Sequence, residues 1–281
     1  MAYGRAHPER QRDGWLGRAA ERTTLAAGTA APALHLGAGP LPLALSSRSL
    51  AIPSVESLDG FKLADRRRVE LSTLRDVAQA DRADGNDMLA FLQRTTLGAY
   101  QSSERVQAAL GFESGAAKYP GHRLAQKLQS IARLIDAGLE TRIYYVSLDG
   151  FDTHANQRQA HANLMTELSE SVSAFTTDLD ERGQLDRTSV LVFSEFGRRV
   201  KENASAGTDH GAAAPMFVAG GGLRKAGVVG KHPSLEDLDR EGDLKFHTDF
   251  RSVYAAVLEH RLHAASRDVL GAEFERVSLF A

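Results

Sequence analysis

The chain contains no cysteine. That excludes disulfides, thiolate catalysis and thiolate-bound zinc, and leaves any metal to His, Asp and Glu. No uninterrupted apolar run approaches the ~20 residues that a membrane-spanning helix needs, so membrane insertion is not expected. Neither sign of charge dominates: 34 Lys and Arg stand against 36 Asp and Glu, a formal net charge of −2. This balance gives no electrostatic reason to expect nucleic acid or an anionic membrane as partner. Gly220-Gly221-Gly222 precedes no helix in a GxGxxG frame, so a dinucleotide site is not expected. The stretch from Met1 to Arg22 is Arg-rich without an apolar centre, so it does not read as a signal peptide. Internal repeats and low-complexity tracts are also lacking.

What is present is ordinary for a globular chain: 281 residues, 42% hydrophobic and 25% charged, enough for one large α/β domain or two small ones. Residues 1–30 read as irregular, with Trp15, Leu16 and Leu25 as the strong apolar anchors. Leu34 to Leu45 predicts one or two short strands broken by Pro40 and Pro42. Asp65 to Asp87 reads as an exposed helix or a connection, and Met88 to Leu110 as one or two amphipathic helices. Leu124, Leu128, Ile131, Leu134, Ile135 and Leu139 recur at helical spacing, with Gly138 as the stop. Leu164, Leu168, Val172, Phe175 and Leu179 form a second stripe, ended by Gly183. Ile143 to Val146, Ser189 to Phe193 and Met216 to Ala219 read as strands, and Phe250 to Leu262 as a last helix. Helices alternating with strands imply βαβ units and a mostly parallel sheet flanked by helices.

Chemistry concentrates in four polar clusters. Asp152 and His154 lie two apart just past a strand, where an extended backbone would point both side chains one way, toward a shared cation. Asp152 reads equally as a cap for the helix beginning near Asn156. Asp149 is a weaker ligand candidate, since a residue at a strand end is also a turn former. Glu195 follows the second apolar run, where a carboxylate would be partly desolvated unless coordinated or paired with Arg198 or Arg199. One of those arginines would bind an oxyanion and the other would lie on the surface. Asp209 and His210, between Gly207 and Gly211, could ligate together, or Asp209 could orient its neighbour from behind; a loop is the plainer alternative. In the fourth cluster, His247 to Arg251, Asp249 reads as a helix N-cap with Phe250 as the first buried position. His35 and the remaining histidines have no partners at useful spacing.

Taken together, Gly150-Phe-Asp-Thr-His154, Ser194-Glu-Phe-Gly-Arg198 and Gly207-Thr-Asp-His-Gly211 resemble the "domain of unknown function 1501" family. Asp249-Phe-Arg-Ser-Val-Tyr254 and Gly14-Trp-Leu-Gly-Arg18 add to the likeness, which runs from about Asp13 to Leu262. The resemblance implies an alkaline-phosphatase-like α/β fold, related to the sulfatases, with metal ligands at strand ends. It implies Asp152, His154, Glu195, Asp209 and His210 as ligands of a divalent ion (Zn, Mn or Ca) or as groups supporting them, and Arg198 as the oxyanion contact. Most members carry a twin-arginine export signal, which implies a periplasmic or exported protein.

The likeness begins late. Family members have an initial strand ending in a Gly-Gly-x-Asp-Gly segment, and this chain starts almost at Gly14-Trp-Leu-Gly-Arg18. The expectation is a single domain spanning residues 1–281 that is incomplete at its N-terminus and lacks the first strand, one metal-binding Asp and the nucleophile. Two functions follow as expectations: a metal-dependent hydrolase of small anionic phosphate or sulfate esters, or a non-catalytic ligand- or protein-binding member of the same fold.

Overall fold

A computed structural model describes residues 13–23, 31–57 and 117–281. The helices expected between residues 65 and 110 lie outside the described residues, as does most of the N-terminal stretch. The chain divides into two compact units, one of residues 1–8, 116–126 and 148–281, the other of residues 9–115 and 127–147.

In the second of these units, β1 (Ala33–Leu36) is the middle strand of a parallel sheet, between β2 (Ser54–Val55) and β3 (Ile143–Val146). All four residues of β1 are buried, as a central strand of a parallel sheet requires. His35 is among them, 2% exposed, with Nδ1 2.7 Å from Oγ of Ser54 on β2. Helix α1 (Trp15–Glu21) buries Leu16, Ala19 and Ala20. A Cβ on Gly17 would overlap the Ser46 carbonyl, so a glycine is needed where α1 meets the chain after Leu43–Leu45. The stripe expected for α2 (Arg123–Asp136) is buried from Leu124 through Ile135, and the helix stops short of Gly138.

The other unit holds α3 (Gln157–Glu181), β4 (Ser189–Val192), β5 (Gly197–Glu202), β6 (Thr208–Gly211), β7 (Phe217–Gly220), α4 (Phe250–Arg261) and α5 (Ser266–Leu270). Strands form where the apolar runs placed them, but their pairing differs from the expected parallel arrangement. β4 pairs antiparallel with β7, and β5 pairs antiparallel with β6. The described residues therefore form a mixed α/β structure whose parallel sheet is the three-stranded one. Apolar runs specify extended chain and burial; they do not encode which neighbour a strand takes.

Two helix faces also differ from expectation. Only the second half of the α3 stripe is deeply buried, at Phe175 and Leu179, and Asp178 lies on the same face at 1% exposure. Its carboxylate is satisfied: Arg182 Nε donates to Oδ1 at 2.7 Å and the Tyr119 hydroxyl to Oδ2 at 2.9 Å. Burial, together with the hydrogen bond to Asp178, holds the Tyr119 phenol well above its ordinary pKa. On α4 the first buried position is Val253, while Phe250 is 37% exposed and sets its ring edge-on to Tyr254. Asp249 is the N-cap, accepting from the Arg251 backbone N–H at 2.8 Å.

Candidate metal centre

Residues from three of the four polar clusters converge within one unit. The loop between β3 and α3 carries Asp152 and His154, and the β5–β6 hairpin carries Arg198, Asp209 and His210. Arg198 and His210 are cross-strand partners in that hairpin, which puts their side chains on one face. The two segments meet because the hairpin turn docks on the start of α3. The backbone N–H groups of Asn156 and Gln157 donate to the carbonyls of Ser205 and Ala206, both at 2.9 Å. A Cβ on Gly207 would overlap the His154 backbone, so only glycine permits this approach.

At the meeting point one carboxylate oxygen receives two imidazoles. Nε2 of His210 lies 2.7 Å, and Nε2 of His154 3.0 Å, from Oδ1 of Asp152. The hydrogen bond from His210, followed by that from His154, holds Asp152 below the usual carboxylate pKa. One ligand atom from each of these three residues lies within 4.8 Å of the others. Asp152 is thus no helix cap: α3 starts after Asn156, and the Asp152 carboxylate is directed at the histidines. Side-chain exposures of 65%, 50% and 42% leave the group open to solvent.

The donor set fits a divalent transition ion. Two imidazole nitrogens and one carboxylate oxygen match three-ligand catalytic sites that keep one coordination position open. Tetrahedral coordination at normal bond lengths needs donors about 3.3 Å apart, so the 2.7 and 3.0 Å separations from Asp152 Oδ1 would widen slightly around an ion, a shift that exposed side chains permit.

The flanking residues hold this group in place. Phe196 stacks on the His210 ring with centroids 4.0 Å apart and planes at 9°. Arg198 lies 5.0 Å from the Phe196 ring centroid on its cationic carbon. Its guanidinium donates through Nη1 to the Thr208 carbonyl at 2.5 Å and through Nη2 to the Phe151 carbonyl. Nη2 is 4.0 Å from Asp152 Oδ1. Arg198 therefore straps the Asp152 loop to the hairpin. Arg199 makes an ion pair with Asp243 at 2.8 Å, accounting for the second arginine structurally.

Asp209 stands behind His154, with Oδ1 3.8 Å from Nδ1, the side of the ring away from Asp152. That is the position of a supporting carboxylate rather than a member of the three-residue group. Glu195 and Asp149 are exposed loop residues and do not join the group. One residue at the centre went unread in the sequence: Asn203, in the β5–β6 turn, whose amide contacts both His154 and Asp209. Asn-Ala-Ser-Ala-Gly is a plain turn sequence, and no spacing marks it out.

A family model described as a protein of unknown function, DUF1501, matches residues 2–264. The chain belongs to the DUF1501 family. No curated protein matches it, and no solved structure does. The DUF1501 match spans every residue of the Asp152, His154 and His210 group as well as Asn203, Arg198 and Asp209.

Among the described residues, no helix is long and apolar enough to cross a membrane.

Proposed function

We propose that this DUF1501 chain is a metal-dependent hydrolase of phosphate or sulfate esters, with a divalent cation held by Asp152, His154 and His210. The observation that carries the reading is the convergence of three ligand atoms, within 4.8 Å of one another, on a solvent-open surface. The imidazoles favour Zn or Mn over Ca, which prefers all-oxygen shells. When bound, such an ion supplies a lowered pKa for coordinated water and stabilises charge developing on a phosphoryl or sulfuryl oxygen.

The chain's own residues would do the rest. Asp152 would bring its anionic carboxylate, and the two Nε2 atoms would face the ion once their protons are released. Arg198 would keep the Asp152 loop and the hairpin in register, with Nη2 4.0 Å from Asp152 Oδ1. The relation to the alkaline phosphatase and sulfatase superfamily that the DUF1501 resemblance implies would suit an ester substrate with a tetrahedral anionic head.

The test is turnover of aryl phosphate and aryl sulfate esters by the full chain with Zn(II) or Mn(II). The reading predicts metal-dependent turnover of at least one class that His210→Ala abolishes. Turnover that is indifferent to metal, or that survives His210→Ala, contradicts it.

One observation favours a second reading, a non-catalytic binding module of the same fold. Arg198, beside the group, donates to two backbone carbonyls. In that case metal binds through the same three residues and no ester is turned over.

A further inference from the structure

We infer that Asn203 is the positioning residue of this centre, holding His154 and its supporting carboxylate Asp209 in the arrangement that a metal requires. The inference rests on the reading of Asp152, His154 and His210 as metal ligands and goes beyond it to a residue outside the ligand set.

A primary amide has two N–H donors and one oxygen with two acceptor sites. Asn203 uses all of this capacity. Its oxygen accepts from the backbone N–H groups of Ser205 at 2.9 Å and Gly207 at 3.1 Å. Its nitrogen donates to the His154 carbonyl at 3.1 Å and to Oδ1 of Asp209 at 3.3 Å. The orientation of the amide is forced, because backbone N–H groups only donate. The oxygen must face the turn and the nitrogen must face His154 and Asp209.

These four bonds split into two jobs. The acceptor half closes the β5–β6 turn, together with the Asn203 N–H to Gly207 carbonyl bond at 2.8 Å. The donor half spans the two segments that build the centre, fixing the backbone of one ligand and the carboxylate behind it. Asp209 lies 3.8 Å from Nδ1 of His154. A ring drawn onto a cation through Nε2 carries its proton on Nδ1, and a carboxylate at that point accepts it and sets the ring plane. Half-buried Asn203 keeps Asp209 on that side of the ring.

Asn203→Asp separates the jobs, because aspartate keeps both acceptor bonds of the turn and loses both donor bonds. It also sets a like charge against Asp209. Zn(II) affinity measured by calorimetry is expected to fall about 10- to 100-fold in Asn203→Asp at unchanged melting temperature. In the metal-free protein the nuclear Overhauser contact between the His154 and His210 rings, whose centroids are 5.0 Å apart, is expected to weaken. Wild-type Zn(II) affinity and an intact ring contact in Asn203→Asp would overturn the inference. So would an Asn203→Ala variant that melts lower yet binds Zn(II) as the wild type does, since that is the signature of a turn residue alone. If the wild-type chain binds no Zn(II), the metal reading fails and the ring contact decides Asn203 by itself: its loss in Asn203→Asp supports positioning, and its persistence refutes it.

Discussion

Asp152 and Asp178 are both carboxylates with two polar neighbours, and their surroundings separate their roles. Asp178 is 1% exposed and paired with Arg182, itself 8% exposed, so its charge is neutralised within the core. Removing it takes a buried carboxylate away from the Arg182 Nε and the Tyr119 hydroxyl. Asp178→Ala is expected to destabilise the protein by about 3–5 kcal/mol, read as a lower urea midpoint at unchanged slope. Asp152 is open to water, and its two neighbours are imidazoles that can exchange their protons for a metal. The Asp152–His154 pair was legible in sequence because two residues of extended chain place side chains on one side. Glu195 follows an apolar run as a strand-mouth residue does, but the chain leaves β4 into an exposed loop there, and the carboxylate is not desolvated. Asn203 was not legible at all, since its role comes from four bonds to residues up to 49 positions away.

Among the elements, the β5–β6 hairpin does the most to form the centre. It pairs Arg198 with His210, stacks Phe196 on that histidine and carries Asn203 at its turn. The two strand-forming runs before it were readable, but the hairpin itself was hidden in residues that are charged or glycine-rich. The helices were easier, because a three-to-four spacing of Leu and Ile states both the element and its buried face. The strand β1 held a different surprise in His35, which sequence spacing gave no role. Burial holds its imidazole below the ordinary pKa, with the charge of Lys127 acting in the same direction. A histidine kept neutral by folding contributes fully above its unfolded value of about 6.5, and that contribution is lost as the pH falls below it. Melting temperature is therefore expected to drop between about pH 7.5 and 5 more steeply in the wild type than in His35→Gln. Equal slopes would show that β1 tolerates a charged His35.

At the scale of the whole molecule, the two compact units have different sheets. One is built on the parallel β2-β1-β3 order and the other on antiparallel pairs. The mixed α/β class was legible from the alternation of helical and extended patterns. The antiparallel partner of β4 was not, because strand pairing depends on where the chain returns rather than on the run itself. Family membership was carried by short motifs, and four of their residues, Asp152, His154, Arg198 and His210, do meet in space. The central claim is that three of these hold a cation. Calorimetric titration of the full chain with Zn(II), followed by anomalous diffraction at the zinc edge, tests it most directly. A cation held by these residues gives one site of 1:1 stoichiometry with the anomalous peak between Asp152, His154 and His210, lost in Asp152→Ala and His210→Ala. Absence of binding, or a zinc peak elsewhere that survives both substitutions, would contradict it.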